Sequence, residues 1–421
     1  MPNDAQDYLS YVNARPSIHR VQGPSTAERV GSRPVPGPGG AALSFANVTV
    51  SKNGGGDNAA PRFGFNANGD ALGFDSLYGD GTGGAGSDLA IMPAVDAKQY
   101  NLSHFDNSDI WFRASNDVNL KTGWLGRWLE RYGSDTNPLQ AISIDTALSK
   151  SIRTTAKPVS AISALPMNGF RMNSTPYGGA NDQVTPSTFR FDVTAPIRNL
   201  ASVAVPDNAY LSRSRSTYNL AVETYERTLS AGSVPANALY PNTSTLSNRL
   251  RTAAHLLAAN LGTRVITIHW GAFDTHTGQI LGQDRQLAEL SRALAAFKAD
   301  LTARGIEQNV CTLVFSEFGR RVRENGVGDT AGTDHGAGGL MMAMGSAVRG
   351  GFAADWPGCE TSERVPANEN QGNLKVPTDY RSVYKAVIEE WFEGDAEAVI
   401  GGPAIETLVR GDGLTGRRLF K

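Results

Sequence analysis

The sequence predicts an α/β fold with a mainly parallel central sheet, and two observations carry that expectation. From Arg264 to Phe315 the chain reads strand, loop, long helix, strand, loop, which is the grammar of right-handed crossovers between parallel strands. At the end of each of these strands stands a short run of acidic groups, with imidazole in the first, where parallel sheets gather functional groups. The 421 residues are 40% apolar and 19% charged, enough for a substantial core. No linker or internal repeat divides the chain, so a single α/β domain over 1–421 is expected. Within it, 21–87 is a Gly/Pro-rich irregular region.

Taken in order, residues 1–20 can form a short helix broken before Pro16. In the glycine-rich region that follows, only 43–50 (LSFANVTV) alternates like a strand. Residues 88–95 (DLAIMPAV) read as a buried strand. Ser103 then opens an amphipathic segment, either as its helix cap or as a hydroxyl placed to gain from the helix dipole. Residues 123–132 are a helix whose Trp124, Leu125, Trp128 and Leu129 share one face, a stripe that reads as core. Residues 139–145 form a strand and 150–205 are weakly patterned. Helices are expected over 208–230 and 246–260, with Gly262 as a capping glycine. The buried strands 264–269 and 309–315 flank a helix carrying Leu287, Leu290, Leu294, Phe297 and Leu301, closed by Gly305. A further strand covers 340–344. Thr378 is expected to cap a last helix with Val383, Val387 and Trp391 inward.

Composition excludes several classes of function. The formal net charge of −2 gives no global basic field for nucleic acid. No run of about 18 apolar residues is present, so no membrane-spanning helix is expected. The two cysteines, Cys311 and Cys359, make no zinc-type pairing, and a disulfide between them stays open.

The chemistry concentrates between His269 and Gly345. Asp274 and His276 offer one oxygen and one nitrogen ligand from a single loop, Asp334 and His335 offer another such pair, and Glu317 stands at a strand end. Carboxylate and imidazole without thiolate suit a divalent ion, Zn or Mn above all. Such an ion can polarise a phosphoryl or sulfuryl oxygen or activate Ser103. Arg320 and Arg321 match the geometry of a phosphate or sulfate. Each group also has a plainer reading: Asp274 as a turn residue, His276 as a loop histidine, and Glu317 with Arg320 as a salt bridge.

The wording and order of these motifs carry a resemblance. GAFDTHTGQ, FSEFGRR and GTDHG, with LSHFDNSDIW upstream and TDYRSVY downstream, resemble a bacterial domain family of unknown function. Its members are commonly exported by the twin-arginine route, and it is grouped with the alkaline phosphatase/sulfatase superfamily. The resemblance covers roughly residues 88–410. It implies a three-layer αβα, alkaline phosphatase-like fold, a metal-dependent esterase-type centre and a periplasmic or extracellular location, and it supplies no substrate. Joined to the anion-matching arginines, it makes a metal-dependent hydrolase of anionic phosphate or sulfate esters, acting on a small ester or a polymer, the expected function. Ser103 and Arg320 would be catalytic, and Asp274, His276, Glu317, Asp334 and His335 would hold the metal. In one register Ser316-Glu317-Phe318-Gly319 stands for an Asp-His-Gly element, with Phe318 in place of a histidine; in the other, TDHG is that element. His335 is a ligand in both. Members open with a strand ending in a Gly-Gly-Asn-Asp-Gly turn, whereas Asn3-Asp4 follows no strand. The expectation is therefore a truncated chain or a centre lacking one ligand, and an exported binding module of the same fold is the alternative to an enzyme.

Overall fold

The computed structural model describes residues 13–15, 17, 33–36, 42–45, 74–78, 86–163, 165, 171–173, 190–192, 194–203, 208–240, 244–271, 273–354, 357–358, 364–365, 372–401, 405–408 and 419–421. A first hairpin pairs β1 (Arg33–Pro36) with β2 (Ala42–Phe45), the start of the strand expected over 43–50. Helix α1 (Phe74–Tyr78) precedes β3 (Leu89–Asp96), which is buried throughout. Then come α2 (His104–Arg113), α3 (Trp124–Tyr132), β4 (Ala141–Ser143) and β5 (Ser160–Ala161). A second hairpin, β6 (Arg171–Asn173) with β7 (Arg190–Asp192), leads to α4 (Thr194–Ser202), α5 (Ala209–Ala231) and α6 (Thr245–Ala258). The crossover unit is β8 (Val265–Thr267), α7 (Gln279–Ala303) and β9 (Thr312–Val314). A third hairpin, β10 (Gly319–Asn325) with β11 (Gly332–Gly336), runs into β12 (Gly339–Met344). The last elements are β13 (Gly351–Phe352), β14 (Thr378–Asp379), α8 (Tyr380–Ala386) and α9 (Ala396–Ile400).

The protein is mixed α/β, and the sheet around β3 corrects the expectation of a mainly parallel centre. Its order is β13-β3-β12-β9, with β14 also on β3. β13 and β14 run parallel to β3, but β12 is antiparallel to both β3 and β9. A parallel neighbour needs a crossover of a dozen or more residues, usually helical. The chain from β9 to β12 makes a hairpin instead and therefore returns in the opposite direction. The wholly parallel sheet is the smaller one, β5-β4-β8. The same hairpin places Asp334 and His335 within β11.

Two helix ends also differ from the sequence reading. Asp379, not Thr378, caps α8, accepting Arg381 N at 2.9 Å, because the helix begins one residue later than expected, at Tyr380. The left-handed residue at the end of α6 is Asn260 (φ 51°), so Gly262 lies beyond the cap. A π-helical turn, Val387–Trp391, continues α8. Asn3-Asp4, Cys359 and most of 21–87 lie outside the described residues; Cys311 carries a free thiol that burial pushes up to about 12.

Side chains alternate along β3 and β12 and enter two cores. Ala90, Met92, Met341 and Ala343 join Trp111, Trp124, Trp128, Tyr380 and Tyr384, so the aromatic stripe of α3 is core as expected. Leu89, Ile91, Met342 and Met344 join Leu246, Leu250, Leu294 and Phe297 on the other side. Pro93 interrupts the ladder of β3, since it has no N–H to give, and the register with β12 shifts between Gly339 and Met341. Beyond this shift Asp96, fully buried, accepts from Ala97 N (2.8 Å) and Gly338 N (3.1 Å) and so fixes the turn between β11 and β12.

Burial pushes the Asp96 carboxyl up to about 7, against those hydrogen bonds and one from Asn107. The folded state therefore favours the neutral acid. Its contribution to stability is full below about pH 3.9, the unfolded value, and is lost as pH rises toward 7. Denaturant melts between pH 4 and 7 are expected to weaken with rising pH by up to about 1.4 kcal/mol per unit from this group, and Asp96→Asn should remove that slope.

Candidate metal centre

Three segments meet beyond the ends of β8 and β9: residues 273–276, residues 316–318 and the strand β11. The first and third are joined backbone to backbone. Thr333 N donates to Thr275 O, Gly278 N to Thr330 O and Gln279 N to Ala331 O, each at 3.1 Å. Gly332 lies where the approach is closest. A Cβ there would sit 2.2 Å from the His276 carbonyl and 2.4 Å from Thr275 O, so only glycine allows the loop and strand to touch.

A fourth segment arrives from α2. Ser103 is its N-cap, with Oγ accepting Asp106 N at 3.4 Å, and His104 is the first helical residue. One turn on, the buried Asn107 donates through Nδ2 to the Glu317 carbonyl and accepts Asn101 N at 3.1 Å, which locks α2 to the segment after β9.

Asp274 is the meeting point. Its Oδ1 lies 2.9 Å from His335 Nε2, 2.9 Å from His276 Nε2 and 3.1 Å from Arg320 Nη2. Its Oδ2 lies 3.2 Å from His104 Nε2. The Nε2 atoms of His276 and His335 are themselves 2.9 Å apart. On the far side of each ring stands an oxygen: His104 Nδ1 donates to Glu317 Oε1 (2.8 Å), His276 Nδ1 to Asp334 Oδ1 (3.0 Å) and His335 Nδ1 to Leu102 O (2.8 Å). Asn325 Nδ2 also donates to Asp334 Oδ1 at 3.0 Å, and Ser316 Oγ to Glu317 Oε2 at 2.9 Å. Phe318 stacks on His335 with centroids 4.2 Å apart.

The electrostatics follow from these contacts. Burial raises the Asp274 carboxyl, but hydrogen bonds from His335 and His104 with the charges of His276 and Arg320 outweigh it and hold the group at about 2. The hydrogen bond to Glu317 holds the His104 imidazole above its ordinary value despite burial, helped by Asp274. Burial would raise Glu317, but His104, its own backbone N–H and Ser316 keep it below the usual carboxylate value. Burial lowers Arg320, partly offset by Asp274.

Of the residues expected from the sequence, Asp274, His276 and His335 come together directly. Glu317 and Asp334 adjoin them from behind the imidazoles. Arg320, with a side chain only 14% exposed, turns inward and shares Nη2 between Asp274 and the Phe273 carbonyl (3.1 Å each). His104 is the residue sequence reasoning missed, although His104, Asp274 and His335 are a group whose ligand atoms all lie within 4.8 Å of one another. Its signal in the sequence is its position, directly after the capping serine, where a side chain enters from the helix start.

A family model described as "Protein of unknown function (DUF1501)" matches residues 198–374 and supports a domain-of-unknown-function family for that part of the chain. The matched span holds Asp274, His276, Glu317, Arg320, Asp334 and His335, while Ser103 and His104 precede it. No curated protein and no solved structure matches the chain. Among the described residues, no helix is long and apolar enough to cross a membrane.

Gly332→Ala is expected to force the 273–276 loop away from β11. Thermal melts followed by circular dichroism should show a loss of about 1–3 kcal/mol, the cost typical of overpacking.

Proposed function

We propose that the protein is a metal-dependent hydrolase of anionic esters, phosphate or sulfate. The observation that carries this reading is the triangle of Asp274 Oδ1, His276 Nε2 and His335 Nε2, each 2.9 Å from the other two. Donors so spaced share a point about 2.1 Å from each, the bond length of zinc to nitrogen or oxygen. An N/O set without thiolate suits Zn or Mn. A bound divalent ion supplies Lewis acidity toward a phosphoryl or sulfuryl oxygen.

The chain's own groups complete the site. Asp274 and His276 have side chains 43% and 40% exposed, so the centre opens toward solvent, as a catalytic ion requires. Ser103 is the nucleophile of this reading: its capping bond to Asp106 N is long, 3.4 Å, and its neighbour His104 already reaches Asp274. Arg320 holds the ligand carboxylate Asp274 in place, a positioning role rather than the direct grip on the anion expected for it. The two cores on opposite faces of the β3 sheet support the three-layer αβα, alkaline phosphatase-like arrangement that the motifs resemble. Export by the twin-arginine route, with a small anionic ester or a polymer as substrate outside the cytoplasm, belongs to the same reading. A second reading, an exported module that binds a surface polymer without turning it over, is favoured by Arg320 turning inward rather than toward a substrate.

Chelator-stripped protein reloaded with Zn or Mn is expected to cleave chromogenic phosphate or sulfate esters. His335→Ala should reduce that activity by at least about 100-fold, more than loss of an outer partner costs. A metal-loaded protein that cleaves neither ester class overturns the hydrolase reading in favour of the binding module.

A further inference from the structure

We infer that the centre is a four-ligand site of three imidazoles and one carboxylate, His104, His276, His335 and Asp274, with Glu317 and Asp334 as positioning residues rather than ligands. This assignment rests on the metal-dependent reading above and changes its ligand set. It adds a ligand from α2 and removes two carboxylates from contact with the ion.

A carboxylate and a backbone carbonyl only accept hydrogen bonds. The Nδ1 atoms of His104, His276 and His335 face Glu317, Asp334 and the Leu102 carbonyl, so each must carry its hydrogen there. In the neutral imidazole the lone pair is then on Nε2. All three Nε2 atoms point at Asp274, whose oxygens are acceptors as well. Two bare Nε2 atoms 2.9 Å apart, with a carboxylate oxygen 2.9 Å from both, repel unless positive charge lies among them, either a proton shared between the rings, as in the hydrogen bonds that hold Asp274 low, or an ion that replaces it. A divalent ion supplies that charge to His276, His335 and Asp274 through their triangle, and to His104 through the group it forms with Asp274 and His335, whose ligand atoms lie within 4.8 Å of one another.

The outer partners have the form this requires. A ligating histidine commonly donates its other ring N–H to a carboxylate or carbonyl, which fixes the tautomer and raises ligand basicity. Glu317 and Asp334 do this for His104 and His276, and each is itself held, by Ser316 and by Asn325. One oxygen of each, Glu317 Oε1 and Asp334 Oδ1, is thereby committed to the back of a ring, while the other faces Ser316 Oγ (2.9 Å) or Arg321 Nη1 (3.7 Å). Arg320 does the corresponding work for Asp274. His104 enters because α2 is anchored to the Glu317 carbonyl by Asn107, so the helix start and its outer partner move as one body.

The test uses the full chain stripped with chelator and titrated with Co²⁺ and with Zn²⁺ against a competing chromogenic chelator. Circular dichroism verifies that each apo variant is folded. The unaltered chain should take up one ion with a Co²⁺ ligand-field spectrum. His104→Ala should change the shape and intensity of that spectrum and lower affinity at least about 100-fold, whereas Glu317→Gln and Asp334→Asn should keep the band positions and lower affinity about 10–100-fold. Glu317→Asp should recover part of the loss that Glu317→Gln causes. Uptake and spectrum indifferent to His104→Ala would overturn the assignment while leaving a metal centre standing. A spectrum altered by Glu317→Gln or Asp334→Asn as much as by His104→Ala would make those carboxylates ligands and overturn it too. No uptake by the unaltered chain overturns the metal reading itself.

Discussion

Asp274 is approached by three imidazole nitrogens and one guanidinium within 2.9–3.2 Å, an arrangement that a bare carboxylate in water would not assemble. Each imidazole is held in place from behind, so none can turn away without breaking a hydrogen bond to Glu317, Asp334 or Leu102. The groups at the centre are thus fixed by their neighbours rather than by each other. Mutual attraction among half-exposed charges is worth little in water, and the scaffold has to impose the geometry.

The scaffold does so with backbone. The 273–276 loop is zipped to β11 by main-chain bonds across Gly332, and the turn that follows β11 is held by Asp96 from the end of β3. α2 is tied through Asn107 to Glu317 at one end, while further along it Tyr380 donates to the Ile110 carbonyl and stacks on Trp111. Four parts of the sequence, near 96–107, 274–276, 316–325 and 332–338, are brought together by these contacts. The aromatic core and the polar centre are therefore opposite ends of one packed unit.

Much of this was legible in the sequence, for physical reasons that also mark where legibility ends. The strands at 88–95, 264–269, 309–315 and 340–344 announce themselves as apolar runs: β3 and β12 run between the two cores, while β8 and β9 are half-buried against them. The hairpin β10-β11 does not: Gly-Arg-Arg-Val-Arg-Glu-Asn has a single buried side chain, Val322, and its pairing rests on backbone bonds that leave no hydrophobic pattern. With the hairpin hidden, the reversal of β12 was hidden as well. At the centre, Asp274, His276 and His335 showed as acid and imidazole near strand ends. Glu317 and Asp334 showed as participants, but nothing in composition tells which face of an imidazole a carboxylate meets. His104 lies 170 residues before Asp274, beside a serine that suffices to explain a helix start. Proximity across such a distance is a property of topology alone.

The hairpin has a thermodynamic consequence of its own. An isolated two-stranded ribbon is at best marginally stable in water; β10-β11 carries Arg320, Asn325, Asp334 and His335 and is tied to the rest of the protein by the 273–276 loop, by Val322 N to the Gly372 carbonyl (2.9 Å) and by Arg15 to the Val322 and Arg321 carbonyls (2.8 and 2.7 Å). The polar cluster it helps to build adds to these ties. Whatever neutralises the crowd of lone pairs at Asp274 therefore also holds this ribbon down, and free energy gained there reappears as local folding free energy. Occupancy of the centre and order of the hairpin are thereby linked, and the link is read as amide protection along residues 319–336.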